Sequence, residues 1–257
     1  MLTDTHAHVF WDSFDADREA MLARAREAGV TRMIVVGTEV RSSEAAFELC
    51  RGRAGLHPTA GIHPHDATAS DAVARARVRE LCARAECVGV GETGLDYFKE
   101  FSPREAQRAS FAWHVALARE LDKPLVVHCR DAHADTLQLL REHGARRGVM
   151  HCYSLGAEEL PGYLELGFHI SFSGVLTYPK TERLKAAARA VPEDRLLVET
   201  DCPYLAPQDR RGKRNEPAFV RSVVHELARL RGGTFEAIAA ATTRNASALF
   251  GLPAEPA

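Results

Sequence analysis

Pro124-Leu125-Val126-Val127-His128-Cys129-Arg130 is a short, β-branched apolar run that ends on a histidine, and a stretch of helical period over 132–143 follows it. A run of this length, bounded in this way, predicts a buried strand feeding a helix. The unit recurs in both directions. Met33 to Val36, Cys87 to Val90, His169 to Ser171 and Leu196 to Val198 are runs of the same kind, and weaker ones stand at Leu2 to His6, Thr59 to Ile62 and Gly148 to His151. With Leu125 to Val127 they make eight predicted strands. Between them the periodicity predicts helices near 13–28, 42–51, 70–85, 103–121, 132–143, 157–166, 180–190 and 217–230, with a further one at 234–249. Eight alternations in 257 residues predict an α/β protein, a single (β/α)8 or TIM barrel over 1–251 with a short tail at 252–257. An open, doubly wound sheet needs the same alternation, but no GxGxxG or GxxxxGK[ST] loop follows an early strand. Ser102-Pro103 reads as an N-cap with proline at the first helical position, and Asn215-Glu216-Pro217 as the cap of the next helix. Gly29, Gly144 and Gly167 stand where helices end.

Composition bounds the class without naming it. Hydrophobic residues make up 46% of the chain and charged residues 26%, ordinary values for a globular protein with a sizeable core. Lysine and arginine number 33 against 35 acidic residues, so no global basic field advertises a polyanion and any such partner must be held locally. The amino terminus has neither a basic leader nor a long apolar run, and nowhere do eighteen apolar residues follow one another. The expectation is a cytoplasmic monomer with no membrane partner and no obligate protein partner. Six cysteines without CxxC spacing predict reduced thiols rather than a disulfide framework. Cys129, Cys152 and Cys202 directly follow His128, His151 and Asp201; strand alternation predicts that they face the helices rather than a site.

The chemistry gathers at strand ends. His6 and His8 form an i, i+2 pair at the end of the first strand, so both imidazoles project from one side. Glu92, His128, His151 and Asp201 each follow an apolar run, which places the six residues on strands 1, 4, 5, 6 and 8. In a (β/α)8 barrel those ends meet at one face. Four histidines and two carboxylates exceed the three protein ligands usual for one catalytic zinc. Two divalent cations sharing a bridging carboxylate fit better, a barrel of the metal-dependent hydrolase type. Glu92 is the natural bridge, one oxygen toward His6 and His8 and the other toward His128 and His151, while Asp201 would bind the first metal and accept a proton from the attacking water. The mixed nitrogen and oxygen donors suit Mg2+, Mn2+ or Zn2+.

These motifs together resemble the TatD family of metal-dependent deoxyribonucleases. The resemblance is carried by Asp4-Thr5-His6-Ala7-His8, Gly61-Ile62-His63-Pro64-His65, Gly91-Glu92-Thr93-Gly94-Leu95-Asp96-Tyr97 and Pro124 to Ala132. It continues through Gly148 to Tyr153, Glu199-Thr200-Asp201-Cys202-Pro203-Tyr204-Leu205 and Arg211 to Pro217. It implies a nuclease that trims DNA from the 3′ end, with His6, His8, Glu92, His128, His151 and Asp201 at the metal positions and Asp201 and Glu92 as the catalytic carboxylates. Tyr153 stands where the family often has phenylalanine, and Cys202 where a small residue is usual.

A two-metal site suits in-line attack on a phosphodiester. Strand position makes His63, His65 and Arg130 the nearest candidates to hold the phosphate. Asp209-Arg210-Arg211-Gly212-Lys213-Arg214 puts four cations in one loop after the last strand, with Arg211 and Lys213 as candidate contacts to a nucleic-acid backbone, DNA or RNA. Glu199 shares the parity of Asp201 from a deeper position, as a residue supporting a ligand does. The competing reading is a metal-dependent carbonyl hydrolase acting on an amide, a lactone or an aminoacyl-tRNA ester. Many binuclear sites of that kind bridge their metals with a modified lysine from the fourth strand, where this chain offers Glu92.

Overall fold

The computed structural model describes residues 1–253. Eight parallel strands are hydrogen-bonded in chain order: β1 (Leu2–Ala7), β2 (Val30–Val36), β3 (Leu56–Ala60), β4 (Gly89–Asp96), β5 (Leu125–Arg130), β6 (Gly148–Met150), β7 (Phe168–Phe172) and β8 (Leu196–Val198). Beyond β8 the chain runs along β1: the Asp201 N–H donates to the His6 carbonyl (2.9 Å) and the His8 N–H to the Cys202 carbonyl (3.0 Å), nearly closing the ring. The buried Asp4 carboxylate tightens that seam, accepting from the Thr200 N–H (2.9 Å) and the Thr200 hydroxyl (2.5 Å). The expected TIM barrel is what the chain forms.

Among the described residues nine α-helices surround it: α1 (Arg18–Glu27), α2 (Val40–Cys50), α3 (Ala72–Ala83), α4 (Arg104–Glu120), α5 (His133–Glu142), α6 (Leu160–Glu165), α7 (Glu182–Ala190), α8 (Val220–Arg231) and α9 (Phe235–Phe250). None among the described residues is long and apolar enough to cross a membrane. The first helix begins later than periodicity predicts, because Asp12–Phe14 forms a separate 3-10 turn. Ser102 does not cap α4. Pro103 takes the N-cap position, and the buried Ser102 hydroxyl donates instead to the His65 carbonyl (2.7 Å). Asn215 does not cap either. Its amide donates to the carbonyls of Thr200 (2.9 Å) and Tyr204 (2.6 Å), pinning the loop after β8, while Glu216 holds the N-cap position of a 3-10 turn and gives its carboxylate to Arg24 (2.6 Å) instead of capping. The tail expected at 252–257 lies outside the described residues from 254 on. Leu252 is buried, and the Pro253 carbonyl accepts from Arg32 (2.8 Å).

Two apolar layers follow from strand alternation. Ile34, Val36, Val126, Val149 and Leu197 pack with Ala246, Leu249, Phe250 and Leu252, while Met33, Val35, Leu125, Val127, Met150, Leu196 and Val198 belong to a separate cluster with the helices. The first set fills the barrel interior, and the end of α9 closes its amino-terminal mouth. Each such side chain contributes about 1.5–3 kcal/mol when fully buried. This layer also fixes the parity of the site above it: two residues past Val126 is His128, two past Val149 is His151, and two and four past Leu197 are Glu199 and Asp201.

Candidate metal centre

The polar residues above that layer converge on Glu92, whose side chain is 4% exposed. Glu92 is not at a strand end as the apolar run suggests; it lies in the middle of β4, where the pairing to β5 slips between Val90 and Thr93. Its N–H donates across the barrel to the Gly37 carbonyl (2.8 Å), and the Gly91–Glu92 peptide is cis. Glycine is required next to it. Gly91 has φ +144°, and a Cβ there would meet the Val126 carbonyl oxygen at 2.4 Å.

The two oxygens of Glu92 serve different imidazoles. Oε2 lies 3.1 Å from His6 Nε2 and 3.8 Å from His8 Nε2. Oε1 lies 2.9 Å from His151 Nε2, 3.2 Å from His128 Nδ1 and 3.3 Å from His63 Nε2. Asp201 Oδ1 joins the first group, 3.5 Å from His8 Nε2 and 3.8 Å from His6 Nε2. The residue holds a left-handed backbone (φ 58°), strain that aspartate and asparagine tolerate better than most side chains.

Far-side hydrogen bonds decide which nitrogen of each ring points inward. His8 Nδ1–H donates to the Val36 carbonyl (2.7 Å), His128 Nε2 faces Asp96 Oδ2 (3.0 Å), and His151 Nδ1 faces Glu199 Oε1 (3.3 Å). Each bond occupies the outward ring nitrogen and turns the other nitrogen toward Glu92, where a cation can replace its proton, the arrangement metal-binding histidines require. His63 differs. Its Nδ1 accepts from the His65 N–H (3.1 Å), so Nε2 carries the hydrogen and donates to Glu92. The spacing of His63, Glu92 and His128 is itself compatible with a cation, but this tautomer makes His63 a donor to Glu92 or to a bound anion.

The electrostatics agree with a cation-binding donor set. Burial opposes ionisation of Glu92, yet the imidazoles of His151, His63 and His6 outweigh it and hold the carboxyl well below its ordinary value. Burial likewise opposes ionisation of Asp201, and His8 and His6 reverse the balance. Burial keeps His6 neutral, and it lowers His63 to about 4. Burial also opposes a charge on His8, His128 and His151, but the carboxylates around them raise all three. Two ionised carboxylates enclosed with imidazoles whose protons a cation would displace fit one or more divalent cations.

Asp96 was not singled out from the sequence, although it shares the parity of Glu92 four residues along the same strand. It is buried, and Oδ2 contacts both His128 and His65 (3.0 Å each). Because it orients a ring facing Glu92, Asp96→Asn is expected to weaken metal affinity about 10- to 100-fold, measured by titrating the metal-free protein. Unchanged affinity would assign Asp96 to packing. Trp11, Thr38, Asp66 and Tyr204 were also missed; they line the cavity of about 400 Å3 above the cluster, together with His8, His63, His65, Glu92, His128, His151 and Asp201. Their signal was positional, since each follows a strand on the face where such barrels build their sites.

The remaining expected contacts are not gathered into that cavity. Arg130 is exposed, its guanidinium 3.9 Å over the Phe98 ring. Arg211 lies over Tyr178 (4.4 Å), and Lys213 is exposed on the same loop. Arg214 is engaged within the fold, bonded to Asp17 (2.8 Å) and the Ser13 carbonyl (2.6 Å). All six cysteines are free thiols. Cys202 and Cys129 pack with the helix-side cluster, and Cys152 Sγ lies 3.2 Å from Ser173 Oγ.

A (β/α)8 barrel with this donor set gathered under a cavity at one face fits the class of metal-dependent hydrolases. Comparison with known proteins gives the family: residues 3–251 match the one described as TatD related DNase, and the chain belongs to it. It is 39% identical over 252 residues to the uncharacterized metal-dependent hydrolase YabD of Bacillus subtilis (strain 168), a match covering 97% of this chain and 99% of that protein. It is 38% identical over 264 residues to the 3′-5′ ssDNA/RNA exonuclease TatD of Cronobacter sakazakii (strain ATCC BAA-894), covering 99% of each. The crystal structure of YJJV, a TatD homolog from Escherichia coli k12, superposes with a TM-score of 0.93 at 30% identity over 98% of both chains.

Proposed function

We propose that the chain is a 3′–5′ exonuclease that hydrolyses phosphodiester bonds of DNA, with RNA as a second substrate class, using two divalent cations at the Glu92 cluster. The observation that carries this reading is the division of Glu92: each oxygen faces its own set of imidazoles, His6 and His8 on one side and His128 and His151 on the other. When bound, two cations (Mg2+, Mn2+ or Zn2+) would neutralise charge at the phosphoryl oxygens and acidify the attacking water. Asp201, whose side chain is 14% exposed at the cavity, would take the proton from that water. His63 Nε2–H, and His65 beside it, are donors for a phosphate oxygen, while burial keeps His63 neutral at physiological pH. A relative named as a 3′-5′ ssDNA/RNA exonuclease supports the substrate class. The fourth strand offers Glu92 and no lysine, which favours the phosphodiester over a carbonyl centre.

The test is digestion of 5′-labelled single-stranded DNA by the metal-loaded enzyme, with an RNA strand and an aminoacyl-tRNA in parallel. Stepwise shortening from the 3′ end supports the proposal. Release of the amino acid with the DNA left whole across all three metals would move the chain to the carbonyl hydrolases.

A further inference from the structure

Large aromatic side chains held in water at the rim of a polar site ask for a ligand. Among the described residues the exposed large hydrophobics include Phe98 (56% exposed), Phe101 (68%) and Tyr204 (53%), and all three stand on the face that carries the metal cluster. Tyr204 packs edge-on to Trp11 (5.3 Å), and Trp11 stacks on His8 (4.6 Å), so this aromatic wall flanks the His6, His8 and Asp201 side. Phe101 meets His65 edge-on (4.8 Å) at the opposite side, where His65 and His128 share Asp96.

Cations are interleaved with the second pair. Lys99 Nζ lies 5.7 Å from the Phe98 ring and 5.9 Å from the Phe101 ring, and Arg130 covers Phe98 at 3.9 Å. Glu100, the carboxylate on the same loop, is bonded to Arg104 (3.0 Å) and does not neutralise them. The loop is also fastened to the site. Asp96 Oδ1 accepts the N–H groups of Phe98 (3.0 Å) and Lys99 (2.8 Å), while its Oδ2 contacts His128.

We propose that Phe98, Lys99, Phe101 and Arg130 form a ledge along which a single-stranded polynucleotide enters the cavity, with Trp11 and Tyr204 receiving its terminal base. The bases stack on the two phenylalanines and the phosphates meet the two cations. Aromatic rings alternating with cations bind single strands in a sequence-tolerant way, and a duplex hides the base faces that such rings need. The inference rests on the nuclease reading and adds to it the residues that select an unpaired strand.

The experiment measures kcat and KM of the metal-loaded enzyme on a labelled oligothymidylate, in wild type and in Phe98→Ala/Phe101→Ala, whose rings are exposed and carry little of the fold. An abasic oligomer with the same number of phosphates serves as competitor. Loss of stacking is expected to raise KM about tenfold or more, with a much smaller change in kcat. The abasic competitor, which has phosphates but no bases, is expected to inhibit both proteins with constants within about twofold of each other. An unchanged KM in a variant of an enzyme that does degrade DNA overturns the ledge alone. An equal loss toward the abasic oligomer assigns the effect to disturbed cations or loop backbone and also overturns it. Wild-type enzyme that leaves the oligothymidylate whole overturns the nuclease reading, and the ledge with it.

Discussion

Asp201→Asn is expected to reduce turnover about 1000-fold or more while most of the bound metal is retained. The substitution keeps the shape of the side chain and an oxygen toward His8 and His6, the groups at 3.5 and 3.8 Å from Asp201 Oδ1. It also keeps the backbone, because asparagine accepts the left-handed φ of 58° about as readily as aspartate. What it removes is the negative charge that, on the proposed mechanism, would receive the proton of the attacking water. Steady-state cleavage of labelled DNA together with metal content by mass spectrometry checks both halves. A variant within tenfold of wild type would show that Asp201 is only a ligand. Loss of metal in proportion to activity would assign the defect to binding instead.

Glu92→Ala is expected to empty both halves of the cluster and to bring cleavage to background, a fall of about 10,000-fold or more, because both metals of a two-metal site would be lost together. No other described side chain has oxygens within 4 Å of His6, His8, His63, His128 and His151 alike. Removing it leaves those rings crowded without the carboxylate that holds their inward nitrogens in place. Glu92→Gln preserves volume and one oxygen, and is expected to bind metal weakly on one side only. Metal analysis of both purified variants, with thermal unfolding to show that each is folded, makes the comparison. Two full equivalents of metal in folded Glu92→Ala would rule out the bridge.

Much of this was open to reading from the chain, for reasons that are local. Short apolar runs such as Leu125 to Val127 have few alternatives to a strand, and their parity tells which of the next residues turns inward. His128 and His151 follow from Val126 and Val149 in this way. Glu92 was found as a carboxylate after an apolar run, but its place was misjudged. A glycine-flanked slip in β4 carries the strand four residues past it, to Asp96. Ser102 and Asn215 have the composition of helix caps, and the fold uses both instead to tie loops to distant carbonyls.

The sequence by itself determined the eight-fold alternation, the class of donors and the strands that bear them, because periodicity and residue chemistry act over a few neighbouring positions. Tertiary structure alone decided how those donors are used. The ring orientations of His8, His128 and His151 are set by Val36, Asp96 and Glu199, 28 to 48 residues away in the chain. It also separated Arg214, bound to Asp17, from Arg130, left exposed beside Phe98. Hydrogen-bond partners and exposure are properties of residues brought together from distant parts of the chain, and no pattern within a short window of sequence encodes them.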